Sequence, residues 1–289
     1  MWSNQSARHV ALAAYTNVRA TARRLGLGRL RTRFQSSLYA SPHWVAVPPR
    51  QLKDFDLDRA LPQNAIALTF DDGPNPDVTP QLLRVLEAHS ARATFFMCGL
   101  AAQRHPALVR AVLEAGHSIG SHSWDHRHLI LRDLPITEWR RQIDDTHALL
   151  ADLSGAPVRW FRPPRGMTDR HAWDVLRKQG ITTVLWSVDG SDCRLRDPDV
   201  IAAKVLDKLW PGAVALLHDA NANYLHSTAR PRYGEMGNQQ STVRAVEIIL
   251  RAARVRGLEP ISLDALPSRT MQRTGRPRLA LRETSDRGL

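Results

Sequence analysis

The chain is poor in cysteine: 289 residues contain only Cys98 and Cys193. Neither has a CxxC or CxxH neighbour, so neither a disulfide framework nor a cysteine-based zinc site is expected. Reduced thiols and a cytoplasmic setting are the expectation. No apolar run approaches the roughly 20 residues that a membrane-spanning helix needs. The opening residues Met1 to Gln5 lack the apolar core of a secretory signal. Internal repeats are absent, and so are low-complexity tracts outside the two ends. Acidic residues are missing from 1–53, which holds nine Lys and Arg. Residues 268–289 hold six Arg against Glu283 and Asp286. The stretch between, 54–267, has 25 basic and 26 acidic residues, so the net charge of +12 belongs to the ends. A body this neutral argues against nucleic-acid binding, and no specific nucleic-acid partner is expected. The ends would instead meet an anionic surface, such as the inner face of a membrane.

What is present fits one soluble globular domain, with 43% apolar and 24% charged residues. The expected organisation is a basic N-terminal segment (1–53), a catalytic-sized domain (54–267) and a basic tail (268–289). In the first segment Leu27, Leu30, Phe34 and Leu38 recur at near-helical spacing among arginines. That pattern describes a basic amphipathic helix on an anionic membrane, a helix packed on the domain, a partly disordered leader, or an organellar transit peptide.

From Asp54 onward apolar runs alternate with helical periods. The runs are 65–70, 93–97, 117–121, 158–161, 182–186, 213–217 and 258–261. Alternation of this kind predicts a parallel sheet. Seven units predict an α/β fold, a distorted and incomplete (β/α) barrel of about seven parallel strands. Chemistry in such barrels sits at the C-terminal ends of the strands.

The strand ends carry a telling set of residues. The first run ends in Phe70-Asp71-Asp72-Gly73-Pro74. Two adjacent carboxylates at the edge of a core are costly unless a cation holds them. Successive strand residues point to opposite sides, so the two should have different tasks. The third run ends in His122-Ser123-Trp124-Asp125-His126, an i, i+4 pair whose spacing on a helical turn suits two imidazoles on one metal. The fourth ends in Arg162-Pro163-Pro164-Arg165-Gly166, a stiff loop with a fixed cation. The fifth ends in Trp186-Ser187-Val188-Asp189-Gly190-Ser191-Asp192-Cys193, and the sixth in Leu216-Leu217-His218-Asp219.

This ordered set resembles the NodB-homology polysaccharide deacetylases, carbohydrate esterase family 4, over about 65–265. The resemblance implies a metal-dependent hydrolase that removes the N-acetyl group of an amino sugar. Asp72, His122 and His126 would hold one divalent metal, most often Zn2+, with Co2+, Ni2+ and Fe2+ also suited to such donors. Asp71 would be the general base toward water at that metal, and Arg162 would position it. His218 would be the general acid for the leaving amine, with Asp189 orienting it. The backbone N–H of Arg165 would help to stabilise the oxyanion, and Leu216 would line the acetyl pocket. Pro163, Arg165, Trp186, Leu216 and Tyr224 are the expected substrate contacts. Substrates of this class are chito-oligosaccharides, glycoconjugates and lipid-linked amino sugars. A deformylase or deacylase of a lipid- or phosphate-linked amino sugar, and an inactive carbohydrate-binding relative, are the other readings.

Two departures stand out. The family often has Tyr at the place of Arg165 and Trp at the place of Cys193. Arg165, with Arg194 near it, either favours an anionic substrate or points to solvent. The long segment 220–240 after His218 reads as a flap over the site or as a disordered surface loop.

Overall fold

A computed structural model describes residues 64–126, 135–166, 175–221 and 239–266. The basic N-terminal segment, the C-terminal tail, Tyr224 and most of the 220–240 segment lie outside the described residues. No described helix is long and apolar enough to cross a membrane.

Eight strands form the sheet: β1 (Ala65–Asp71), β2 (Ala93–Met97), β3 (Ser118–Ser121), β4 (Trp160–Phe161), β5 (Thr182–Thr183), β6 (Val188–Asp189), β7 (Val214–His218) and β8 (Glu259–Pro260). Their order is β5-β4-β3-β2-β1-β7-β6, and β8 joins the start of β1. Every pairing is parallel. The expected α/β fold of about seven parallel strands is what the structure shows, with one further short strand, β6, that has no apolar run of its own. The run expected over 182–186 ends after Thr183, and Val188–Asp189 then pairs with β7. β5 and β6 are therefore consecutive in the chain yet lie on the two outer edges of the sheet. Residues 184–187 connect them, so the edges lie no more than roughly 18 Å apart. Only a sheet curled nearly closed satisfies that limit.

The helices between strands are α1 (Thr79–Ala88), α2 (Gly99–Arg104), α3 (Pro106–Glu114), α4 (Ile136–Trp139), α5 (Asp145–Ser154), α6 (Pro198–Leu206) and α7 (Gln239–Val255). A π-helical turn, Arg140–Asp144, joins α4 to α5. Local chemistry sets the boundaries where it can. Asp197 caps α6 by accepting from the N–H of Asp199 at 2.9 Å and of Val200 at 3.4 Å, and Pro198 occupies the first turn.

The two faces of the sheet hold separate cores. Ile66, Leu68 and Phe70 of β1 pack outward with Leu82, Leu86, Ile201, Val246 and Ile249 of the helices. Ala67, Phe96, Trp160, Val184, Val214 and Leu263 fill the inside of the curl. The two-residue period of a strand assigns these sides. It also aims the residues that follow. Continuing the inner row of each strand by two positions leads from Thr69 to Asp71, from Gly120 to His122, from Trp160 to Arg162 and from Leu216 to His218. One alternation therefore delivers four polar side chains to the C-terminal mouth of the same cavity. Gly120 has to be small, because a Cβ there would lie 2.6 Å from the Phe96 ring inside the curl.

Candidate active site

Asp71 and Arg162 form a buried ion pair. Arg162 is fully buried, and its Nη1 donates to Asp71 Oδ1 at 2.7 Å and to Thr69 Oγ1 at 2.7 Å. Its Nε donates to the Val184 carbonyl at 3.1 Å and Nη2 to that of Leu185 at 3.2 Å. The Phe96 ring lies 4.1 Å from the guanidinium carbon. β4 and β1 are not neighbours in the sheet, so Arg162 spans the cavity to reach its partner. It also ties down the segment that joins the two sheet edges. Burial lowers the Arg162 pKa and the Asp71 carboxylate raises it. A fixed cation at 2.7 Å holds Asp71 in one orientation, with Oδ2 left 3.7 Å from His122 Nε2.

Asp72 follows the strand with φ 78°, and this left-handed residue turns its carboxylate away from the direction strand alternation would give. Asp72 Oδ1 lies 3.4 Å from both His122 Nε2 and His126 Nε2. The oxygen is buried and has no hydrogen-bond partner. His122 Nδ1 is 2.7 Å from the Arg162 carbonyl, which can only accept, so Nδ1 carries the proton and Nε2 offers its lone pair. Burial lowers the pKa of His126 to about 4, against the raising effect of Asp72, which keeps that imidazole neutral. Burial alone would raise the Asp72 pKa, but the nearness of His122, His126 and His218 holds it well below the usual carboxylate range. An ionised oxygen without a partner, facing two imidazole lone pairs, is the donor set of a divalent metal. One carboxylate and two imidazoles leave coordination positions open, as a catalytic metal requires.

His122 and His126 reach this arrangement by a route the spacing did not predict. They are not on a helical turn. His122 directly follows β3, while Ser123 (φ 65°) and His126 (φ 55°) are left-handed, and the rings of His122 and His126 lie 5.0 Å apart. Gln142, on the π-turn, fixes this loop from behind. Its Oε1 accepts from the Trp124 N–H at 3.0 Å and the Asp125 N–H at 3.4 Å. Its Nε2 donates to Asp125 Oδ1 at 3.0 Å and Glu138 Oε1 at 2.8 Å. The Ser123 hydroxyl accepts from the His126 N–H at 3.2 Å.

The β1–β7 register sets His218 directly beside Asp71. The expectation that Asp189 orients His218 is corrected here: Asp192 does so. Asp192 Oδ1 lies 2.8 Å from His218 Nδ1, while Oδ2 accepts from the His218 backbone N–H at 2.8 Å and from Thr242 Oγ1 at 2.8 Å. Asp189 is occupied by its own turn, where Oδ1 accepts from the Ser191 N–H at 2.6 Å. Asp189-Gly190-Ser191 is an Asx-turn sequence, a signal that could have separated the two carboxylates beforehand. Burial by itself would lower the His218 pKa. Asp192, through its charge and hydrogen bond, with Cys193 adding to it, instead raises it well above its ordinary value.

Sequence reasoning quoted Asp219 but gave it no role. It is buried, its Oδ2 accepts from Thr79 Oγ1 at 2.6 Å, and its Oδ1 has no partner. Burial, reinforced by the charge of Asp72, raises its pKa to about 7. Gly73 makes room for it, since a Cβ at that position would lie 2.1 Å from Asp219 Oδ2.

Of the expected substrate contacts, Pro163 and Leu216 are buried, and Leu216 shares the inner row of β7 with Val214 and His218. Trp186 lies against Gly166 and 5.7 Å from the Arg162 guanidinium carbon. Arg165 is exposed and left-handed at φ 58°. Tyr224 is outside the described residues.

A sequence profile described as polysaccharide deacetylase matches residues 58–184. Among curated proteins, the chain is 34% identical over 202 residues to a chitooligosaccharide deacetylase of Azorhizobium caulinodans, covering 69% of this chain and 93% of that protein. It is 33% identical over 224 residues to a peptidoglycan-N-acetylglucosamine deacetylase of Listeria monocytogenes, covering 78% of this chain but 43% of that longer protein. Among solved structures, a peptidoglycan N-acetylglucosamine deacetylase superposes with a TM-score of 0.62 at 32% identity, covering 71% of this chain and 89% of that one. The chain belongs to the polysaccharide deacetylase family.

Proposed function

We propose that the protein is a metal-dependent hydrolase that removes the N-acetyl group from an amino sugar. The observation that carries this reading is Asp72 Oδ1, buried, without a partner and 3.4 Å from two imidazole nitrogens. The relatives' names point to the same chemistry.

Asp72, His122 and His126 would hold the metal, with Zn2+ the proposed ion. When bound, a divalent metal there supplies Lewis acidity, which lowers the pKa of water from about 15.7 toward 7 and polarises a carbonyl. Asp71, fixed by Arg162, accepts the proton of the attacking water. Its neighbour in the β1–β7 register, His218, carries a proton on each ring nitrogen at neutral pH and gives one to the departing amine. Asp192 keeps the imidazole in place through that exchange. Leu216 presents an apolar wall suited to a methyl group. General acid–base catalysis of this kind contributes about 10²–10⁴-fold each.

The test is acetate release by zinc-loaded protein from chito-oligosaccharides, peptidoglycan fragments and lipid-linked amino sugars. Release from at least one, abolished by Asp71→Asn, is expected; no release from any of them would remove the reading. Arg165 favours a second reading, an anionic substrate such as a phosphate- or lipid-linked amino sugar, because its cation is exposed next to the Arg162 loop. Arg165→Tyr should then shift preference toward neutral oligosaccharides, and unchanged preference would remove that idea. We also propose a cytoplasmic location, in keeping with two free thiols. Cell fractionation tests it, and recovery in the secreted or cell-wall fraction would count against it.

A further inference from the structure

We propose that Asp192, Cys193 and His218 form a second cation site, for a thiophilic divalent ion, and that filling it switches the enzyme off. The inhibitory part rests on the reading of His218 as the proton donor; the site itself does not.

Three kinds of donor meet here. A carboxylate oxygen of Asp192, the sulfur of Cys193 and a ring nitrogen of His218 all lie within 4.8 Å of one another. Bond lengths of about 2.0–2.3 Å to zinc place neighbouring tetrahedral donors roughly 3.3–3.8 Å apart. The cluster therefore closes on an ion with side-chain adjustments of an ångström or less. Asp192 Oδ1 and His218 Nδ1 start at 2.8 Å, so that pair would open slightly rather than collapse. Asp192 is buried and pinned by Thr242 Oγ1 and the His218 N–H, which gives the site one rigid wall. Cys193 is exposed, so an ion arriving from solvent meets the thiol first. One thiolate with one imidazole selects zinc and cadmium over magnesium and calcium.

The ion would compete with a good hydrogen bond, and it would have to displace the proton of the thiol. Both costs make this site weaker than the one at Asp72, so it fills only when the metal exceeds one equivalent. Its effect on chemistry is direct. A metal on either ring nitrogen of His218 takes the place of one of the two protons that the imidazolium needs. The amine then has no ready donor, although the Asp72 centre remains loaded.

The probe is Cd2+, added to the full chain already carrying one equivalent of Zn2+. Bound cadmium, thiolate-to-cadmium absorbance and acetate release are followed together. The expected result is one further equivalent bound with a thiolate band, accompanied by at least a tenfold loss of rate. Cys193→Ser should lose the band and bind that equivalent at least tenfold more weakly. Asp72→Asn should keep the band. A band that persists in Cys193→Ser would assign the thiolate to Cys98 and overturn the proposal, as would failure to bind a second equivalent. A band with undiminished rate would overturn the inhibitory part. Protein that releases no acetate at all would sink the deacetylase reading, while the band still decides whether the site exists.

Discussion

Asp192 uses both of its carboxylate oxygens on one residue: Oδ1 meets the His218 ring at 2.8 Å and Oδ2 meets the His218 backbone N–H at 2.8 Å. Side chain and main chain of the proposed acid are thus held by a single rigid group. This arrangement separates the roles of the two nearby aspartates and leads to the first prediction.

Asp192→Asn removes the charge that opposes the effect of burial on His218, so the imidazole pKa falls. A general acid is active while protonated. The alkaline limb of kcat/KM should therefore move to lower pH, with a loss of about 10²-fold or more at pH 8. Asp189→Asn should leave the limb in place. The same pair affects stability. His218 has a folded pKa above its unfolded value, so its contribution is fully present below about pH 6.5. That contribution is lost as pH rises through the raised folded pKa, and thermal melts across this range should show it in the wild type but not in Asp192→Asn.

The two adjacent carboxylates should separate experimentally. Asp72→Asn weakens metal binding, read by dialysis against a chelator. Asp71→Asn should retain the metal while kcat drops about 10²–10⁴-fold. Equal loss of metal in both variants would contradict the division of labour between them.

Arg162 and Asp71 form a buried pair. Arg162→Met strands the carboxylate in the cavity, a change that costs about 3–5 kcal/mol. The double variant Arg162→Met with Asp71→Leu should recover much of that stability without recovering activity, as denaturant unfolding and acetate release would show.

Gln142 makes two accepting and two donating bonds, and so carries the 122–126 loop. Gln142→Leu should reduce metal affinity about 10–100-fold, the range seen when groups supporting metal ligands are removed. The described core around Ile143 and Leu150 should keep its melting temperature within a few degrees.

Asp219 is an acid whose folded pKa of about 7 lies above its unfolded value. Folding is then opposed increasingly as pH rises from about 4 to 7. In metal-free protein, Asp219→Asn should match the wild type at pH 4 and melt at a higher temperature above pH 7. Gly73→Ala should destabilise at every pH, because the added methyl runs into the Asp219 carboxylate.

Much of this architecture was legible beforehand because it rests on short-range rules. Seven of the eight strands begin or end within a residue or two of their apolar runs, and strand ends in a parallel sheet converge on one mouth. Asp71, Asp72, His122, His126, Arg162 and His218 were readable for that reason. Val188–Asp189 was not, since a two-residue strand defined by its partner has no periodicity of its own. Neither was the turn that carries His126, because HxxxH spacing describes a helix and a left-handed loop equally well. Gln142 acts across 17 positions from Asp125, and no local pattern marks such a contact.

Left-handed backbone is concentrated around this mouth. Among the described residues, six that are not glycine have φ between 51° and 78°; all except Ser90 (Asp72, Ser123, His126, Arg165 and Ser191) flank a strand end at the site. Each such residue costs on the order of 1 kcal/mol or more relative to relaxed backbone. Glycine would relieve that cost, but at Asp72 and His126 it would delete the donors themselves. The outer core of aliphatic side chains therefore supports a rim that would not hold its shape alone. Rigidity in this protein is exported from the barrel wall to the loops, and variants that loosen Leu82, Ile201 or Ile249 should first appear as a loss of metal retention at temperatures where the fold is still intact.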